Sequence, residues 1–118
     1  MLRDLKKNNF ADVYIKTDFE LLKTAQIVAE IFGGLAIEKD DGHYEEYPAY
    51  LGRDASAGFK FALLGIPEAK YEIRENPHPD YHLIVEPIEA DDDAYTESVA
   101  EQVAKAINED GRLRANHI

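Results

Sequence analysis

Residues able to do chemistry are sparse in this chain, and the densest group is His78-Pro79-Asp80-Tyr81-His82. Two imidazoles and a carboxylate in so short a run are all metal ligands in principle. If the segment enters a strand, Asp80 and His82 point the same way, while His78 lies in a proline turn and need not converge with them. The spacing matches none of the standard zinc patterns, so a proline-pinned turn leading into a strand is the preferred reading. Ser56 and Ser98 are the only serines, and neither sits in a nucleophile elbow. The small-residue stretch Arg53-Asp54-Ala55-Ser56-Ala57-Gly58 could approach a phosphate, but no Walker or Gly-x-Gly-x-x-Gly pattern accompanies it. The acidic run Glu38 to Glu46 is too short and wrongly spaced for an EF-hand loop. Asp91-Asp92-Asp93 suits a helix N-terminus better than a cation site. Because the chain has 24 acidic residues, a carboxylate pair of the glycosidase kind is nearly uninformative. The absence of cysteine removes disulfides, thiolate metal sites and cysteine nucleophiles. The expectation is a chain with no catalytic residues, no cofactor and no metal.

The acidity itself is more informative. Thirteen Lys and Arg stand against 24 Asp and Glu, a net charge of −11 on 118 residues. Such a field repels nucleic acid and anionic lipid and attracts basic partners. Much of the excess falls in Glu38-Lys39-Asp40-Asp41-Gly42-His43-Tyr44-Glu45-Glu46 and in Glu86 to Asp93. Tyr44, Tyr47 and Tyr50 recur at intervals of three along the first of these and the strand expected after it. Tyrosine offers a large, stiff contact surface with a polar tip, and carboxylates speed encounter with a basic protein. The candidate partner-binding residues are therefore Asp40, Asp41, Tyr44, Glu45, Glu46, Tyr47 and Tyr50. Strand alternation would place Tyr44 and Tyr50 on one face and Tyr47 on the other.

These residues must be positioned by local elements. Asp12 to Lys16 alternates polar and apolar residues, the period of a half-buried strand. Thr17-Asp18-Phe19-Glu20 has the spacing of a capping box. The helix that it opens carries Leu21, Leu22, Ala25, Val28, Ala29 and Phe32 and ends at Gly33-Gly34. Strands are expected over Leu35 to Glu38, Tyr44 to Leu51, Phe59 to Leu64, Tyr71 to Arg74 and Tyr81 to Glu86. Asp41-Gly42 supplies a hairpin turn, Pro48 argues for an edge strand, and Gly52 to Gly58 reads as a loop. Leu83-Ile84-Val85 suggests burial on both faces. A second helix is expected to begin near Asp92 or Asp93, to bury Val99, Val103, Ala106 and Ile107, and to end at Asp110-Gly111. The fold class is α+β: one domain over residues 1–118, with a mostly antiparallel five- or six-stranded sheet and two helices packed on one face. The polar N-terminus has no apolar core of a signal peptide, and no apolar run approaches the ~20 residues of a membrane helix. A cytoplasmic location follows as an expectation.

The opening Asp12-Val13-Tyr14-Ile15-Lys16-Thr17-Asp18-Phe19-Glu20-Leu21-Leu22, the tyrosine-rich middle and the late strand Tyr81 to Pro87 resemble immunity proteins of bacterial polymorphic-toxin and contact-dependent growth inhibition systems. The resemblance implies a non-catalytic protein that binds and neutralises a cognate basic toxin domain, often a nuclease, and that engages neither nucleic acid nor membrane. A competing expectation is a small α+β enzyme or ligand-binding domain, monomeric or dimeric, with a pocket between helix and sheet near His78, Asp80 and His82.

Overall fold

A computed structural model describes residues 2–40, 42, 44, 47–66, 80–89 and 97–117. After a 3-10 turn at Leu2–Asp4 comes β1 (Asn9–Lys16), then α1 (Leu21–Ile31), β2 (Ile37–Lys39), β3 (Ala49–Asp54) and β4 (Phe59–Leu64). β5 (Tyr81–Pro87), β6 (Glu97–Ser98), α2 (Ala100–Asp110) and β7 (Arg114–His117) follow. The sheet runs β2-β3-β4-β5-β1-β6, with β7 also on β1. All pairings are antiparallel except the short parallel step of β6 on β1. The architecture is thus α+β with a mostly antiparallel sheet, and its seven strands among the described residues include two short ones beyond the expected set.

The alternation foreseen for Asp12 to Lys16 extends back to Asn9: Ala11, Val13 and Ile15 are buried, whereas Phe10, Asp12 and Tyr14 are only partly covered. On this same inner side lie Phe59, Phe61 and Leu63 of β4 and Leu83 and Val85 of β5. They join Ala25, Ile27 and Val28 of α1 and Val103, Ala104 and Ile107 of α2 in a single apolar cluster. Both helices therefore cover one face. Phe61 is 1% exposed and meets Phe32 edge-on, the ring centroids 5.5 Å apart.

Local structure departs from expectation at several points, each with a physical reason. The capping box does not form. The Thr17 hydroxyl accepts from the Phe19 N–H at 3.2 Å, and Glu20, extended at φ −67° and ψ 166°, is the N-cap without a side-chain bond. The Glu20 carbonyl accepts from both the amide and the hydroxyl of buried Thr24, which starts the helix one turn after Thr17. Gly33 and Gly34, at φ 114° and 81°, end it as expected.

β3 is interior, between β2 and β4, so Pro48 does not mark an edge strand. Pro48 precedes the first strand residue, and its carbonyl takes the Gly65 N–H at 2.7 Å, a ladder-like bond that needs no N–H from proline. Gly52, Arg53 and Asp54 belong to β3, so the loop contracts to Ala55–Gly58. In β5, Leu83 and Val85 are buried but His82, Ile84 and Glu86 on the other face are half-buried, so the strand is not buried on both sides. The second helix begins at Ala100, after Glu97 and Ser98 have paired with β1, and not near Asp92. The strand expected over Tyr71 to Arg74 and the acids Asp91-Asp92-Asp93 lie outside the described residues.

β7 follows Gly111, whose φ of 89° releases the chain from α2. On its outer edge the Asn108 amide group brackets Ala115, donating to its carbonyl at 2.9 Å and accepting from its N–H at 2.8 Å. A side chain thus supplies the two bonds that a further strand would make. Asn108→Ala is expected to lower unfolding stability by about 1–3 kcal/mol, because both Ala115 groups lose their partner; urea denaturation measures this. Near the same end, Arg112 bonds Asp110 through Nε at 2.8 Å and also contacts Glu30 of α1. The Arg112 hydrogen bond holds the Asp110 carboxyl below its ordinary value of 3.8. The contribution of this pair to stability is in force above that ordinary value and fades as pH falls toward the depressed one. Arg112→Gln should raise the Asp110 pKa, as followed by NMR titration.

Candidate functional site

The helices leave the other sheet face without a covering element among the described residues. Register fixes what that face presents. One row across the strands reads Ala49, Leu64, His82 and Tyr14, and the next reads Glu38, Leu51, Ala62, Ile84 and Asp12. In a third row Arg53 is opposite Lys60, which is opposite Glu86. Ala49, Ala62 and Leu64 form a second, smaller apolar cluster, with Leu51, Ile84, Tyr44 and Tyr47 packed against it.

The three tyrosines separate in a way that alternation did not anticipate. Tyr44 and Tyr47 share the open face, joined by the Tyr47 N–H donating to the Tyr44 carbonyl at 3.1 Å. Tyr50 packs against the main core on the opposite side. The grouping of Tyr44 with Tyr50 fails because β3 begins only at Ala49, so the period of two cannot be extended back through Pro48. Asp40 is held beside this face by its N–H, which donates to the Ala49 carbonyl at 2.9 Å. Asp41, Glu45 and Glu46 lie outside the described residues.

Over the outer face of β2–β4 lies a groove of about 480 Å³, lined by Glu38, Leu51 and Ala62 of one row, Arg53 and Lys60 of the next, and Asp40 and Tyr44. Lys60 Nζ is 3.6 Å from a Glu86 carboxylate oxygen. A second groove, about 640 Å³, is lined by Leu5, Lys7, Arg53, Phe59 and Pro87, and a third follows α2 and β7. Asp80 and His82 line none of these three.

His82 instead sits on the open face, its Nε2 3.0 Å from Asp12 Oδ1 and its ring 5.4 Å from that of Tyr14. With side chains 32% and 41% exposed, His82 and Asp12 form a solvated pair, with none of the enclosure that sharpens acid–base chemistry. His78 lies outside the described residues, and among those described no three His, Asp or Glu side chains converge as a metal ion requires. Among the described residues, the large apolar side chains left exposed are Phe19 and Leu22 at the start of α1, and Ile66 after β4. Nearby, the Tyr81 hydroxyl donates to the Phe19 carbonyl at 3.1 Å. Desolvation first, and the Glu20 charge second, raise the Tyr81 pKa, so it stays a neutral donor. No helix among the described residues is long and apolar enough to cross a membrane.

The sequence signalled the tyrosines and Asp40. It gave no sign of Glu38, Leu51 and Ala62 as parts of one groove, since only the pairing of three strands brings them together. Comparison with known proteins found no matching family model, no matching curated protein and no matching solved structure.

Proposed function

We propose that this chain is a non-catalytic immunity protein that binds and neutralises a cognate basic toxin domain, a nuclease by preference, through the tyrosine-bearing open face of its sheet. The observation that carries the reading is one face with a small apolar cluster under Tyr44 and Tyr47, bordered by Glu38 and Asp40, in a chain of net charge −11. An apolar centre with aromatic anchors and a charged margin is the anatomy of a specific protein interface. Acidic groups there stand where the phosphates of a nuclease substrate would, and they steer a basic partner by long-range attraction. The toxin domain is inhibited by being covered, so the chain itself needs no reacting group. A cytoplasmic location, where such a toxin would act, belongs to the same proposal.

The experiment is co-purification of the chain with the product of the gene immediately upstream of its own, at low and moderate salt. A complex that forms at low salt and weakens as salt rises is the expected result. Joint neutralisation of Asp40, Asp41, Glu45 and Glu46 should slow association. Unchanged association and affinity would count against this surface.

A further inference from the structure

Building on the inhibitor reading, we propose that the groove over β2–β4 receives a single arginine or lysine side chain of the toxin domain. Its aliphatic stem lies on half-buried Leu51, above buried Ala62, and its cation lies between Glu38 and Asp40, beside Tyr44. Glu38 is directly opposite Leu51, which is opposite Ala62, so one carboxylate and two apolar side chains form a continuous row. Asp40, two residues after Glu38, is held at the same margin by its backbone bond to Ala49.

The groove has a direction. Arg53 and Lys60 occupy the row next to Glu38, Leu51 and Ala62, on the side away from Asp40, and Lys60 is engaged by Glu86. Among the described residues, the Arg53 guanidinium has no hydrogen-bond or ion-pair partner. These two cations repel an incoming positive charge toward the carboxylates. A long basic side chain satisfies both halves of the site at once, since its stem is apolar and its head charged, and a tyrosine ring beside the head adds attraction. An acidic side chain would approach against the field of the whole chain. A purely apolar one would strip water from Glu38 without offering it an opposite charge.

The test compares association and dissociation rates of the product of the immediately upstream gene on the wild-type chain, on Glu38→Gln, and on Glu101→Gln. Glu101 is an exposed residue of α2, on the helix-covered side. Both substitutions remove one negative charge, so the two variants have the same net charge. Loss of a contact in the groove appears in dissociation, whereas loss of a peripheral charge appears in association. Glu38→Gln is expected to dissociate about tenfold faster or more, with Glu101→Gln unchanged in dissociation. Alanine substitution of one Arg or Lys of the toxin domain should then be non-additive with Glu38→Gln. Equal dissociation rates for the two variants would overturn the groove assignment while leaving the inhibitor reading in place. A wild-type chain that does not bind at all would overturn both.

Discussion

Phe61→Ala is expected to destabilise the chain by about 3–5 kcal/mol, the range for deleting a buried aromatic side chain. Phe61 is 1% exposed, packs edge-on against Phe32, and sits on β4 between the strand network and α1. Its ring also explains Gly52. A Cβ built at Gly52 would stand 2.1 Å from Phe61 Cε1 and 2.6 Å from Cζ, far inside contact distance. Gly52→Ala therefore forces a buried ring to move against Phe32, at about 1–3 kcal/mol for overpacking. The two effects are coupled. In a Phe61→Ala background the space that the ring held is vacant, so adding Gly52→Ala should cost much less than it does in the wild type, a favourable coupling of about 0.5–3 kcal/mol. Denaturant unfolding of the four chains in the cycle measures this. Strictly additive losses would contradict the assignment of Gly52 as the room required by Phe61.

Tyr47→Ala should weaken partner binding by about 2 kcal/mol or more, the threshold for an interface hot spot. That is at least about thirtyfold in affinity. Tyr44→Ala should act in the same direction, because both rings pack on the small cluster of Ala49, Ala62 and Leu64 on the open face. Tyr50→Ala should do the reverse, losing stability rather than affinity, since Tyr50 packs against the main core on the helix-covered side. Paired measurements of unfolding free energy and toxin-domain affinity separate the two classes. A Tyr50 variant that binds as poorly as the Tyr47 variant while folding normally would place the interface on the wrong face.

The contrast among these tyrosines also marks how far local pattern reaches. The β1–α1 unit was legible because Val13 and Ile15 alternate with polar residues, and because two glycines at positive φ end the helix. The fold class followed from a run of strands between two helical patterns. Where β3 starts was not legible, because that depends on Pro48 lending its carbonyl to Gly65, a contact that closes only in the folded sheet. β6 and β7 escaped for a different reason. Glu97-Ser98 and Arg114-Ala115-Asn116-His117 are short and polar, with Ala115 alone buried, and they are held as strands by β1 and by Asn108. Of the candidate site, residue types were readable and their juxtaposition was not. Glu38, Leu51 and Ala62 sit on three strands, and only register aligns them.

The most direct test of the proposed function is to titrate the purified chain into a nuclease assay of the product of the immediately upstream gene, with Tyr47→Ala in parallel. The account predicts that toxin activity falls as wild-type complex forms, and that the variant needs at least about thirtyfold more protein to reach the same inhibition. Full toxin activity in the presence of excess wild-type chain at low salt, with no complex detected, would contradict it.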